Sequence, residues 1–245
     1  MENNKLYNNL DYLKLPHLRD NISELAAEAA RKQMTHLDFF ESAIQTEVLE
    51  KQERAVQRRI RQAHLPQIKT LDSFDWNHPD SVNREYIRHL FKLHWVPEHK
   101  NIAFIANTGL GKTHLALALA VQACRQRYNV RFCKVNDALE ELQAARNTGR
   151  LAKVLKTFTA PDILVLDELG FLPVEESGAE MLFRLISARY ERGSTVLTSN
   201  MAFRDWSSIF SSDTAIPSGI LDRFLHHCET VKITGKSYRM KDHIT

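Results

Sequence analysis

A chain of 245 residues with 43% hydrophobic content is long enough for one α/β domain plus a smaller module, and it is too apolar for a disordered or fibrous class. No stretch reaches the roughly 18 apolar residues of a membrane span, so a soluble, unexported, cytoplasmic protein with no membrane partner is expected. The net charge of +3 is too small to establish a nucleic-acid partner by itself, and Cys124, Cys133 and Cys228 lack zinc or redox spacing and read as reduced core thiols.

Residues 1–66 predict a small all-helical domain. Leu6, Leu10 and Leu13, then Ile22, Leu25 and Ala29, then Leu37, Phe40, Ile44 and Val48 recur at spacings of three and four, with Pro16 dividing the first two segments. Thr35 and Asp38 form a capping-box pattern that opens a long third helix, which Pro66 ends. Towards its end, Lys51, Arg54, Arg58 and Arg61 fall on one face, a basic row suited to DNA phosphates; a solvated helix face is the alternative. Residues 67–80, with Phe74 and Trp76 and a turn at His78-Pro79-Asp80, read as a linker.

Residues 81–245 change in texture. A helix carrying Val82, Tyr86, Leu90 and Leu93 precedes β-rich runs at Ile102–Ile105, Val130–Val135, Ile163–Leu166, Thr195–Thr198 and Thr230–Ile233, alternating with helical patterns. That alternation predicts an α/β domain with a buried parallel sheet sandwiched by helices. A second basic group, Arg146, Arg150, Lys153 and Lys156, lies between the second and third of these strands. Neither basic group is interleaved with aromatics, so duplex backbone is the better expectation than single strands. His226 and His227 are adjacent but have no metal-ligand spacing, and a helix-end role is expected of them rather than a metal.

Ala106-Asn107-Thr108-Gly109-Leu110-Gly111-Lys112-Thr113 follows a strand and opens a helix, which is the G-x-x-x-x-G-K-[ST] pattern with alanine in first position. Backbone N–H groups of such a loop converge on phosphates at a helix N-terminus, so residues 107–114, from Asn107 through Lys112 to His114, are expected to bind ATP. Lys112 would meet the β- and γ-phosphates, and Thr113 would be a Mg²⁺ ligand. Strand Ile163–Leu166 delivers Asp167, expected to hold Mg²⁺, and Glu168, expected to polarise the attacking water. The stretch from Ser194 to Asn200 is a strand that ends in a polar group, and Asn200 can reach the γ-phosphate or that water.

IANTGLGKTHLA, ILVLDELGFLP and TVLTSN resemble, in order and spacing, the Walker A, Walker B and sensor 1 segments of AAA+ ATPases of the initiator and helicase-loader clade. The closest likeness is to the IstB-type transposition helper ATPases of bacterial insertion sequences. ILDRFLHH at 220–227, GKSYRMKDH at 235–243 and KTLDSFDW at 69–76 are similar to further segments of that family. The resemblance implies a AAA+ fold without a full C-terminal lid, Arg223 as an arginine finger acting on a neighbouring subunit, and Arg239 as a sensor 2 residue in its own. It also implies that the group at Arg146, Arg150 and Lys153 faces DNA inside an assembly. The function so implied is an ATPase that forms homo-oligomers with ATP on duplex DNA and assists a transposase in target selection. A helicase loader and a P-loop kinase of small molecules are the rival readings.

Overall fold

The computed structural model describes residues 3–78, 82–210, 215–235 and 237–238. Its contacts divide the chain into two units, Met1–Arg58 and Arg59–Thr245.

The first unit holds α1 (Asn3–Tyr12), α2 (Pro16–Arg31) and the greater part of α3 (His36–Gln62). Lys14 and Gln33, at φ 56° and 52°, turn the chain between helices, and Pro16 opens α2 where no amide donor is needed. The capping box forms as expected: Asp38 N–H donates to Thr35 Oγ1 at 3.2 Å and Thr35 N–H to Asp38 Oδ2 at 3.3 Å. Leu10, Leu18 and Ala43 are buried among Leu15, Ile22, Leu25, Phe39 and Ile44. Leu6, Leu13, Leu37, Phe40 and Val48, read from the sequence as part of the apolar stripes, are exposed. Three helices share a single inner seam, so a stripe wider than one seam is left outside. Glu47 on α3 is 1% exposed and accepts the Leu18 N–H at 2.9 Å, capping the first turn of α2 from another helix.

In the second unit, β1 (Asn101–Ala106), β2 (Val130–Lys134), β3 (Ile163–Leu169), β4 (Ser194–Ser199) and β5 (Cys228–Ile233) form one sheet in the order β2-β3-β4-β1-β5. Every pairing is parallel. α4 (Arg84–Leu90) precedes β1. α5 (Lys112–Arg125) joins β1 to β2, and α6 (Val135–Asn147) and α7 (Leu151–Thr159) join β2 to β3. α8 (Glu176–Arg189) joins β3 to β4, and α9 (Ala215–Leu225) leads into β5. One sheet face packs on α4 and α5, the other on α6 to α9. The helix expected over Val82 to Leu93 is shorter, because Asn83 Oδ1 accepts the Tyr86 N–H at 3.0 Å and starts it at Arg84, while Leu93 turns out at φ 61°.

The domain limits expected at 66 and 80 differ from the contact division. Ala63 and Phe74 are buried in the same core as α4 and α5, with Ile60, Leu65, Leu71 and Trp76 packed against it, so residues 59–78 belong to the sheet's own unit. The three cysteines are free thiols, and burial pushes Cys124 and Cys133 up to about 11 and Cys228 up to about 12. Among the described residues no helix is long and apolar enough to cross a membrane.

Arg189 is 2% exposed at the amino edge of the sheet, where it donates to the carbonyls of Phe158, Pro161, Asp162 and Ser194. It thereby ties the end of α7 to the starts of β3 and β4. Asn101 does the same for α9: its amide donates to Phe224 O at 2.9 Å and its oxygen accepts the Thr195 N–H at 2.9 Å.

Candidate active site

β1 is buried along its length and hands the chain to a loop at the amino end of α5. Gly109 and Gly111 hold left-handed backbone, at φ 81° and 85°, which side chains resist. Space excludes a side chain as well: a Cβ at Gly109 would overlap Ser237 Oγ, and one at Gly111 would stand 2.7 Å from the Phe74 ring. The first turn of α5 has no acidic residue, so its amides and dipole are left to an anion. Lys112 Nζ donates to Ala106 O at 2.7 Å and Asn107 O at 2.9 Å, within reach of the loop's concave side. Ala106 pairs with Ile233 inside the sheet and is 5% exposed, so the alanine that replaces the motif's first glycine sits away from the loop's glycines. Asn107 and Thr108 lie exposed, and Leu110 is buried beneath them.

The two carboxylates leave β3 in different ways because of a bulge. Leu166 pairs with Leu197 but Leu169 pairs with Ser199, so Asp167 and Glu168 together stand opposite Thr198. Glu168 absorbs the extra residue at φ 67°, in left-handed backbone, and this turns its side chain into the cleft. Asp167 is 2% exposed. Its Oδ1 accepts from Thr198 Oγ1 at 2.5 Å, and both its oxygens lie within 3.1 Å of Thr113 Oγ1. Burial raises the Asp167 carboxyl above the usual carboxylate range, against the hydrogen bonds from Thr198 and Thr113. A buried carboxylate beside a hydroxyl at a helix N-terminus is a pair of hard oxygen donors that suits Mg²⁺.

Thr198 Oγ1 also accepts the Glu168 N–H at 3.0 Å. One hydroxyl thus holds the Asp167 carboxylate and the backbone of Glu168, a role that sequence reading missed because a threonine inside a strand reads as ordinary β propensity. Asn200 lines the same cleft, and among the described residues its Oδ1 is buried without a hydrogen-bond partner. A buried acceptor left so costs about 1–3 kcal/mol unless water or a ligand meets it.

The cleft has a volume of about 540 Å³ and is walled by the segment read as a linker. Phe74 packs edge-on against Trp76 and His114, at 5.1 and 5.3 Å between centroids. His114 Nε2 lies 3.0 Å from Thr70 O and 3.3 Å from Ser73 Oγ, so the residue after the P-loop threonine pins that segment down. From the carboxyl-terminal side, Tyr238 N–H donates to Gly109 O at 2.9 Å. The signal was present in the sequence as two aromatics in a stretch without periodicity. Arg239 lies outside the described residues.

Arg223 is not among the residues that line this cleft. It sits half-buried on α9, its guanidinium 4.8 Å over the Phe183 ring and donating to Gly219 O at 3.1 Å. The basic residues divide. Lys51, Arg58 and Arg61 are exposed, whereas Arg54 pairs with the buried Glu47 at 3.2 Å. Arg146 pairs with Glu180 at 2.7 Å, and Arg184 shares the same carboxylate at 2.8 Å. Arg150 donates to Thr148 Oγ1, and Lys153 is exposed on α7. Arg54 and Arg146 are therefore partly neutralised within the chain, which spacing alone did not reveal.

A parallel sheet of this order, a glycine loop entering a helix, paired carboxylates at the end of one strand and a polar residue after the next define an ATP-binding AAA+ P-loop protein. The chain belongs to the family described as IstB-like ATP binding protein, which it matches over residues 8–245. It is 37% identical over 233 residues to an ATP-binding protein of insertion sequence IS21 from Pseudomonas aeruginosa, covering 95% of this chain and 88% of that one. It is 32% identical over 241 residues to an ATP-binding protein of insertion sequence IS232 from Bacillus thuringiensis subsp. berliner, covering 98% and 96%. Among solved structures, the DnaC helicase loader superposes with a TM-score of 0.57 at 23% identity, over 67% of this chain and 96% of that one. AMPPCP-bound DnaA from Aquifex aeolicus superposes with a TM-score of 0.57 at 22% identity, over 73% and 54%.

Proposed function

We propose that this protein hydrolyses ATP in the cleft between α5 and β3, assembles with ATP into a homo-oligomer on duplex DNA, and assists a transposase in choosing and engaging its target. The observation that carries the catalytic part is the Thr198-centred pair: one carboxylate buried against Thr113, the other turned into the cleft. Lys112 exchanges the loop carbonyls for β- and γ-phosphate oxygens. Thr113 and Asp167 would hold Mg²⁺, which when bound would supply positive charge to the phosphates. Glu168 polarises the attacking water, and Asn200 meets the γ-phosphate or that water.

Arg223 sits off its own cleft, which supports its acting on the ATP of a neighbouring chain; Arg239 acts as sensor 2 in its own. Lys51, Arg58 and Arg61, with Arg150 and Lys153, supply phosphate contacts, joined by Arg54 and Arg146 when DNA displaces Glu47 and Glu180. The transposase rests on the insertion-sequence origin of the relatives. The likeness to a helicase loader is one of fold and does not favour that activity.

Duplex binding with ATP, with electron microscopy of the product, tests the reading. A ring or spiral around the duplex is expected, with log affinity falling against log salt by about 0.9 per phosphate neutralised. Glu168→Gln should trap the assembled form with ATP bound, and Lys112→Ala should not bind ATP. Wild-type turnover by pure Glu168→Gln, or a chain that stays monomeric on DNA with ATP, would defeat it.

A further inference from the structure

The ATP cleft lies at the carboxyl ends of the strands. At their amino ends, Glu191 in the turn before β4 and His226 and His227 in the turn before β5 converge, although 35 residues separate the glutamate from the first histidine. One ligand atom from each lies within 4.8 Å of the other two, and His227 Nε2 is 3.9 Å from Glu191 Oε1. The two imidazoles stand with centroids 4.0 Å apart.

Tetrahedral zinc, bound at about 2.0–2.1 Å, needs ligand atoms about 3.3 Å apart. All three side chains are exposed, so small side-chain rotations close the gap without moving the backbone. The backbone itself is held: Asn101 N–H donates to His227 O at 2.6 Å and His226 N–H to Asp222 O at 3.1 Å.

A fourth residue supplies what a metal-bound histidine needs. Tyr190 Oη lies 2.8 Å from His226 Nδ1. With Nδ1–H donating to that oxygen, the ring is fixed in the tautomer that offers Nε2 to a metal. We propose that Glu191, His226 and His227 form a divalent transition-metal site with zinc as the preferred ion, tying the α8–β4 turn to the end of α9. Two imidazoles and one carboxylate favour zinc over Mg²⁺, which takes oxygen. The fourth position is left to water. Arg223 and His227 line the same recess, so the ion would brace the helix that carries the candidate finger.

The test uses the full chain without a polyhistidine tag, stripped with chelator and titrated with zinc chloride in neutral buffer, by calorimetry and by competition against a chromogenic chelator. One zinc per chain is expected. His226→Ala with His227→Ala should abolish that binding, Glu191→Gln should weaken it at least tenfold, and Tyr190→Phe should weaken it about 10- to 100-fold. Unchanged ATP affinity in each variant shows that it folds, because the cleft is at the opposite edge of the sheet. Zinc uptake is read without turnover, so the result stands apart from any role of Arg223. No uptake by the wild type, or equal uptake by the double histidine variant, overturns the site.

Discussion

Lys134, the last residue of β2, places Nζ 2.9 Å from the carboxylate of Glu168, so the group proposed to polarise water is held by a cation from the neighbouring strand. Half-exposed, the pair is worth about 0.2–1 kcal/mol. Lys134→Ala should therefore raise turnover without DNA by up to about fivefold and leave ATP affinity unchanged. Phosphate release at saturating ATP measures it. An unaltered rate would make the pair a surface bridge without influence on the water.

Thr198 offers a sharper test of how the bulge works. Thr198→Val keeps the shape but removes the donor to Asp167 and the acceptor of the Glu168 N–H. Losing these buried partners costs about 1–3 kcal/mol, so turnover should fall by about 5- to 150-fold if that cost falls on the barrier, while Thr198→Ser should retain most of it. Thermal melting separates this from collapse: if both variants melt alike yet turn over alike, Thr198 does not position Asp167 and Glu168 for turnover.

His114 gives the cleft wall a pH dependence. Burial lowers its pKa from the ordinary 6.5, although the Thr70 carbonyl acts to raise it. The folded state binds its proton less readily than the unfolded chain, so the contribution is complete above pH 6.5 and is lost as pH falls below it, through the lowered value. Melting temperature followed downward from neutral pH should fall more steeply in the wild type than in His114→Gln. Parallel curves would remove His114 from the account.

Arg223 can be tested by mixing. Arg223→Ala subunits keep Lys112, and Lys112→Ala subunits keep Arg223, so a mixed oligomer contains some complete sites. An arginine supplied by a partner raises turnover in P-loop GTPases by roughly 10³ to 10⁵, so ATPase should reappear on mixing two inactive variants. If mixed oligomers form and stay inactive, Arg223 is structural, in keeping with its place on Phe183.

The sequence by itself determined the parts whose chemistry is local. A glycine loop between strand and helix, an apolar strand ending in Asp167 and Glu168, and Asn200 after the next strand are contiguous patterns, and periodicity located all five strands to within two residues at each end, apart from the far end of β3. What depends on residues distant in the chain was decided only by tertiary structure. The bulge opposite Thr198, Phe74 lying over Gly111, Lys134 on Glu168 and the meeting of Glu191 with His226 and His227 are products of strand order and register. The same holds for Arg54 and Arg146. Their spacing suited a solvated phosphate row, yet packing set a carboxylate against each, because a charge on a folded surface answers to whichever neighbour the fold brings within about 4 Å.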